Sequence, residues 1–168
     1  IDLDMRKSSL STLVEKPNLG IADYLSNNIH EIDDVIVKGK LHPNLDVIPV
    51  GTTPPNPTEL LFSEHLEQVV NTMKGNYDVI LIDCPPLDIV ADASIINKLC
   101  DMTIFVIRAG LFNKMLLPDI EKLYVDKRYN NMVVVLNGTY ENHSGYGSYG
   151  YGYGYGYGYG YGYGYHSK

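Results

Sequence analysis

The sequence predicts one doubly wound α/β domain with a mainly parallel sheet, followed by a disordered tail. Its short apolar runs are continuous rather than alternating, which is typical of parallel strands covered on both faces. Helical patterns separate most of these runs, as in strand–helix–strand units. The last part of the chain is dominated by Tyr and Gly and cannot build a core, so we expect a domain over 1–140 and a disordered tail over 141–168. The predicted strands span 46–50, 78–83, 103–107 and 132–136.

Local signals support the predicted helices between these strands. Asn56 is placed to cap a helix whose first position is Pro57, and an apolar face then continues to Gly75, where the helix is expected to end. The remaining predicted helices are shorter and span 21–26, 32–38, 92–99 and about 118–128.

Composition excludes several classes of function. The 168 residues carry a formal net charge of -7 with no run of Lys or Arg, so nucleic acid is not an expected partner. No apolar stretch approaches the roughly 20 residues that span a bilayer, so this chain itself is not expected to cross one. The two cysteines, Cys84 and Cys100, form no CxxC pair, which favours a reducing, cytoplasmic compartment.

The beginning of the chain resembles the end of a buried strand. Residue 1 is isoleucine rather than methionine, and an apolar residue alternates with an acidic one through Asp4. We therefore expect the chain to be a fragment of a longer protein.

Asp83 stands where a predicted buried strand ends. The carboxyl-terminal edge of a parallel sheet is the edge at which such folds bind ligands, and Pro85 and Pro86 stop the strand almost at once. An aspartate that serves a turn or caps a helix is the alternative interpretation.

Asp2 and Asp4 are two residues apart at what resembles a second strand end. In extended backbone both carboxylates would point to the same side. Together with Asp83 they could hold Mg²⁺, which takes one or two carboxylates and keeps most of its waters. Alternatively, Asp2 or Asp4 could take a proton from an attacking hydroxyl, or the pair could belong to a polar turn.

These motifs resemble those of a known family. Asp2-x-Asp4-x-Arg6 resembles the Walker A′ motif, 79–83 with Pro85-Pro86 resembles Walker B, and the tyrosines of 146–165 resemble a tyrosine cluster. The segments 20–25 and 47–61 are similar to the same family, the bacterial tyrosine kinases (BY-kinases) of polysaccharide synthesis and export. That family has a P-loop ATPase fold. The aspartate motifs alone also fit cell-division and chromosome-partition ATPases.

The resemblance implies a site for ATP and Mg²⁺. Asp4 and Asp83 would hold the metal and Asp2 would activate the tyrosine hydroxyl, although the roles of Asp2 and Asp4 could be exchanged. Arg6 would contact the cofactor or pair with an acidic neighbour. Arg108 would lie at the same ligand edge or be a solvated strand end.

The phosphate-binding motif GxxxxGK[ST] is not found in these 168 residues. In the resembled family it lies just upstream of the Asp2 strand, together with a helix that takes part in ring formation. We therefore expect negligible ATP turnover from this chain alone.

The tail is expected to be the substrate. The resemblance implies autophosphorylation, control of capsule or exopolysaccharide chain length and export, a homo-oligomeric ring, and a membrane-anchored chain-length-determinant activator that is fused upstream or separate. It places the kinase at the cytoplasmic face of the inner membrane. A partition-type ATPase and a non-enzymatic Tyr/Gly assembly module are the alternatives. The expected phosphorylation sites are Tyr146, Tyr149, Tyr151, Tyr153, Tyr155, Tyr157, Tyr159, Tyr161, Tyr163 and Tyr165.

Overall fold

The computed structural model describes residues 1–85 and 92–139, which contain both helices and strands. This mixture, with parallel strand pairing, confirms the predicted α/β class. The expected tyrosine sites and Pro86 lie outside the described residues. The elements are α1 (Ser9–Leu13), α2 (Ile21–Leu25), β1 (Val37–His42), β2 (Leu45–Val47), α3 (Pro57–Leu61), α4 (Glu64–Lys74), α5 (Asp92–Leu99), β3 (Ile104–Arg108), α6 (Leu117–Val125) and β4 (Val133–Asn137), with 3₁₀ turns at Ile32–Val35 and Lys114–Leu116.

β3 and β4 form the parallel pair that their apolar runs predict. Their register runs from Ile104 opposite Val133 to Arg108 opposite Asn137. Helix α6 lies between them in sequence, and its Ile120 packs with Ile107 of β3 in a small buried cluster. The pair is therefore a strand–helix–strand unit with its carboxyl end at Arg108.

A second set of parallel contacts is formed by the beginning of the chain. The Leu3 N–H donates to the Asp83 carbonyl at 2.8 Å, and the Asp83 N–H donates to the Ile1 carbonyl at 2.9 Å. On the opposite side, the Asp2 N–H donates to the Ile48 carbonyl at 2.9 Å. Residues 1–3 consequently lie between Ile48 and the end of the 78–83 run.

Three strand predictions need correction. The run 46–50 is not one parallel strand, because its first part belongs to β2, which pairs antiparallel with β1. The run 78–83 forms only an isolated parallel bridge through Asp83. In the described part of the chain, the strands are also not covered on both faces as predicted. Val79 is 72% exposed and all five residues of β4 are exposed, because no described element packs against that side.

The helix predictions are mostly confirmed, with two exceptions. The long helix expected from Pro57 to Gly75 is divided into α3 and α4. At the break, the Ser63 hydroxyl donates to the Leu60 carbonyl at 2.8 Å, which satisfies a helix-end acceptor. The helix expected over 32–38 is a 3₁₀ turn followed by β1.

The main core packs helices α2 and α4 against the segments around Asp2. Helix α4 buries Leu66, Val69, Val70 and Met73 on one face. Leu66, Val69 and Met73 belong to the same buried cluster as Leu3. Burial of this kind stabilises a fold by about 1.5–3 kcal/mol per large apolar side chain. None of the helices in the described residues is long and apolar enough to cross a membrane.

Two glycines allow the beginning of α2 to approach the segment after β2. The Ile21 N–H donates to the Pro49 carbonyl at 2.8 Å. A Cβ on Gly20 would overlap the backbone of Gly51, and a Cβ on Gly51 would overlap Gly20 and the Asp23 carboxylate. The buried Asp23 carboxylate accepts from the Gly20 N–H at 3.0 Å, so the contact is both close and polar.

A tyrosine–aspartate hydrogen bond joins the segment that follows α4 to β2. The Tyr77 hydroxyl donates to Asp46 Oδ2 at 2.6 Å, and the Gly39 N–H donates to Asp46 Oδ1 at 2.9 Å. The bond to Asp46, with a smaller effect of burial, raises the pKa of Tyr77 to about 12. The bond from Tyr77 in turn lowers the pKa of Asp46.

We expect Tyr77→Phe to reduce the free energy of unfolding at pH 7 by about 1 kcal/mol, because one hydrogen bond is lost. Since the folded pKa of Tyr77 is raised from 10.0 to about 12, its contribution is complete below pH 10 and is lost as the pH rises through 12. Urea unfolding at pH 7 and at pH 10–12 would measure this. The control is Tyr124→Phe, at a 64% exposed tyrosine. A difference between wild type and Tyr77→Phe that persists at pH 12 would contradict the assignment.

Candidate functional site

Asp2 and Asp83 meet at the end of two parallel segments. They form a parallel bridge, and Asp4 follows Asp2 by two residues. The backbone hydrogen bonds of Leu3 and Asp83 fix this register. The structure therefore brings the aspartates predicted from the sequence to the same end of these two parallel segments, which we call the aspartate edge.

The Asp2 side chain is fully buried, with 0% exposure, and both of its oxygens accept hydrogen bonds. Oδ1 accepts from the Asp4 N–H at 3.1 Å. Oδ2 accepts from the Ser11 N–H at 2.9 Å and from the Ser11 hydroxyl at 2.7 Å. Among the described residues, the buried carboxylate thus lacks no partner.

Asp4 begins a turn that leads into α1. Its carboxylate accepts from the Arg6 N–H at 3.3 Å and from the Lys7 N–H at 3.1 Å. Its carbonyl accepts from the Ser8 N–H at 2.7 Å. The side chain is only partly buried, so Asp4 is more accessible than Asp2.

Asp83 is the most open of the three aspartates. It is an exposed residue whose carboxylate accepts no hydrogen bond from residues 1–85 and 92–139. Desolvation, followed by the negative charges of Asp2 and Asp4, raises its pKa above the ordinary value. A cation placed at this edge would relieve that repulsion.

The donor chemistry of this edge fits Mg²⁺, which prefers carboxylate oxygens and retains several waters. Asp4 and Asp83 are the carboxylates with access to solvent. The Asp2 carboxylate is buried and already accepts hydrogen bonds from Ser11. Within the described residues, no three His, Cys, Asp or Glu side chains are arranged to hold a metal ion. The assignment of Asp4 and Asp83 to the metal therefore stays a prediction.

Arg6 and Arg108 are both exposed, and neither makes an ion pair with a described residue. Arg6 lies in the turn after Asp4. Arg108 is the last residue of β3. Its Cγ lies next to Gly138, 3.6 Å from the point that a Cβ would occupy if residue 138 had a side chain. Both cofactor-binding assignments remain predictions.

Cys84, next to Asp83, is a free and partly buried cysteine. Burial, with smaller contributions from Cys100 and Asp83, raises the pKa of Cys84 to about 12. The thiolate is the nucleophilic form, and it is scarce at neutral pH for such a group. We therefore do not expect Cys84 to act as a nucleophile beside Asp83.

Sequence reasoning missed Ser11. It lies in α1, a helix that no periodic pattern predicts, and it is 1% exposed. Its hydroxyl joins Asp2 to the Val50 N–H, which donates to Ser11 Oγ at 2.8 Å. The partners are nine and 39 residues away, so only the fold reveals them.

Comparison with known sequences identifies several kinases. No protein-family model matches the chain. The chain is 33% identical over 152 residues to tyrosine-protein kinase CpsD of Streptococcus agalactiae, covering 89% of this chain and 66% of the relative. It is 32% identical to CpsD of Streptococcus pneumoniae over 162 residues, covering 89% of this chain and 69% of the relative. It is 35% identical to tyrosine-protein kinase Wzc of Salmonella typhimurium over 154 residues, covering 89% of this chain but 21% of the relative.

Solved kinase domains have the same fold. The kinase domain of the Escherichia coli tyrosine kinase ETK superposes with a TM-score of 0.73 at 30% identity, covering 89% of this chain and 58% of that one. The BceF tyrosine kinase domain gives a TM-score of 0.69 at 32% identity, covering 82% and 54% respectively. The chain thus spans little more than half the length of these solved domains.

Proposed function

Because this chain belongs to the family of bacterial tyrosine kinases, we propose that the intact protein is an ATP-dependent tyrosine autokinase that controls capsule or exopolysaccharide chain length and export. Its substrates are the tyrosines between Tyr146 and Tyr165. The observation that carries the proposal is the parallel bridge of Asp2 with Asp83, which brings these two aspartates together at the ends of parallel segments. Folds with parallel strands bind ligands at this kind of carboxyl-terminal edge.

The proposed reaction transfers the γ-phosphoryl group of ATP to a tyrosine oxygen. The bond from the γ-phosphorus to the bridging oxygen breaks, a bond from the tyrosine oxygen to phosphorus forms, and ADP leaves. The proton of the tyrosine hydroxyl passes to the Asp2 carboxylate. Phosphoryl transfer of this kind depends mainly on positioning and on neutralising charge.

Asp4 and Asp83 would hold Mg²⁺, which when bound neutralises charge on the phosphate oxygens. The access of both carboxylates to solvent supports this assignment, since Asp4 is only partly buried and Asp83 is exposed. Arg6, in the turn after Asp4, and Arg108, at the end of β3, would contact the nucleotide.

The burial of Asp2 adds a requirement. A tyrosine hydroxyl reaches its carboxylate only after the residues that cover it are displaced. Asp4 is already accessible, so it is the rival proton acceptor. Separate Asp2→Asn and Asp4→Asn variants, scored for nucleotide binding and for phosphotyrosine, would distinguish the two assignments, because loss of a proton acceptor leaves Mg·ATP binding intact.

The proposed activity requires a phosphate-binding loop and an activator in addition to these 168 residues. We propose that a GxxxxGK[ST] loop of the intact protein binds the phosphates, and that a membrane-anchored activator, fused or separate, stimulates the kinase at the cytoplasmic face of the inner membrane. The matched region is 21% of Wzc, which is compatible with the fused arrangement. A homo-oligomeric ring would bring each tail to a neighbouring site.

The test is mass spectrometry of the intact protein after incubation with Mg·ATP. We expect phosphate on tyrosines of 146–165, and a variant with all ten of these tyrosines replaced by phenylalanine should lose the phosphotyrosine signal. The control is Tyr124→Phe, outside the tail, which should leave the signal unchanged. ATP hydrolysis without phosphotyrosine would instead favour a partition-type ATPase.

A further inference from the structure

Ser11 holds the Asp2 carboxylate from one side only. Its N–H and its hydroxyl both donate to Oδ2, at 2.9 and 2.7 Å. The other oxygen, Oδ1, has one donor, the Asp4 N–H, at the longer distance of 3.1 Å. The two oxygens of Asp2 are therefore inequivalent, and Oδ1 is the more weakly held.

The direction of the Ser11 hydroxyl is also fixed. Its oxygen already accepts from the Val50 N–H at 2.8 Å. A serine hydroxyl has one proton to donate, and here that proton lies toward Asp2 Oδ2. Since Asp2 and Ser11 are both almost completely buried, water does not compete for either contact.

We propose that Ser11 is a positioning residue for phosphoryl transfer. It fixes Oδ2 of Asp2, so that Oδ1 is the oxygen that receives the tyrosine proton when the tyrosine hydroxyl replaces the Asp4 N–H as donor. This inference rests on the proposed function, in which Asp2 is the proton acceptor. The buried Ser11 would thus determine how the reacting Asp2 carboxylate is oriented.

A purely structural Ser11 would give a different result. It would anchor α1 to the Val50 segment and affect only the fraction of molecules that are folded. A positioning residue instead changes kcat for each folded molecule and is expected to leave the KM for ATP nearly unchanged, because Ser11 is only 1% exposed and bonds to Asp2 and Val50 rather than to solvent.

The experiment compares Ser11→Ala, Ser11→Thr and Ser9→Ala in the intact protein. Ser11→Ala is expected to lower kcat of autophosphorylation by about 10- to 100-fold, since loss of orientation at a reacting group has effects of this size. Ser11→Thr retains the hydroxyl and should keep most of the activity. Ser9→Ala removes an exposed hydroxyl from the same helix and is the matched control. A wild-type kcat for folded Ser11→Ala, or equal losses for the Ala and Thr variants, would overturn the proposal.

A second measurement does not depend on activity. Ser11→Ala should lower the urea midpoint of unfolding more in the wild-type background than in the Asp2→Asn background, because the charged acceptor of the serine donors is already gone in the latter. Equal shifts in the two backgrounds would show that the Ser11–Asp2 contact has no energetic weight and would overturn the proposal. Absence of phosphotyrosine in the wild-type protein would refute the proposed function and the catalytic part of this inference together, while the unfolding cycle would still report on the contact.

Discussion

Asp83→Asn is expected to lower tyrosine autophosphorylation of the intact protein by about 100-fold or more. The substitution removes the negative charge that we assign to the metal. Such charge stabilisation has a typical value of several kcal/mol, and about 3 kcal/mol corresponds to roughly 100-fold in rate. The measurement is the initial rate of phosphotyrosine formation at saturating ATP over a range of Mg²⁺ concentrations. Higher Mg²⁺ should recover part of the activity if Asp83 acts through the ion.

The same substitution should not destabilise the fold. The pKa of Asp83 is raised, so the charged carboxylate is disfavoured in the folded chain. Asp83 therefore stabilises the fold only at low pH, where it is protonated, and this contribution is lost as the pH rises. At pH 7 a neutral asparagine removes the repulsion with Asp2 and Asp4. The control is Asp78→Asn, an exposed aspartate at the other end of the same run, which should retain full activity. A fully active Asp83→Asn would remove Asp83 from the site.

Gly51→Ala is expected to destabilise the fold by about 3 kcal/mol or more. Gly51 has a φ of +78°, a region in which an L-residue costs about 1–2 kcal/mol. The added Cβ would also overlap the Gly20 backbone and the Asp23 carboxylate, and forced overlap in a packed site typically costs a further 1–3 kcal/mol. Urea unfolding followed by circular dichroism would measure the change.

Gly110→Ala is the matched control for that substitution. Gly110 has nearly the same φ, +76°, but a Cβ there would meet no atom within 4 Å. It should therefore show only the backbone part, about 1–2 kcal/mol. Equal losses for the two variants would mean that the contact between Gly20 and Gly51 does not restrict packing.

The aspartate edge could be predicted from the sequence because its signals are local. A continuous apolar run that ends in Asp83 and two prolines indicates both a strand and its end. The spacing of Asp2 and Asp4 indicates a shared side in extended backbone. The parallel bridge between Asp2 and Asp83 agrees with the predicted position of Asp83 beside Asp2, although the run 78–83 forms no regular strand. The shared side of Asp2 and Asp4 stays a prediction.

Features that depend on contacts between distant segments could not be predicted in this way. The β1–β2 hairpin is mostly exposed and therefore lacks an alternating apolar pattern. The division between α3 and α4 was missed because apolar residues continue across it, although Phe62 is 50% exposed there. The burial of Asp2 depends on Ser11 and Val50, whose approach is decided by packing.

The exposed side of β3 has a consequence for the behaviour of this segment in solution. The Thr103 and Ala109 backbones bond toward β4, so by alternation the backbones of Ile104 and Val106 point away from it. Their side chains are 53% and 59% exposed. Among residues 1–85 and 92–139, no segment pairs with this edge of β3. A strand with unpaired hydrogen-bonding groups and exposed apolar side chains is a template for edge-to-edge aggregation. A proteolytic product that contained only the described residues would therefore be prone to aggregate. For such a product to stay in solution, the exposed edge of β3 must be covered.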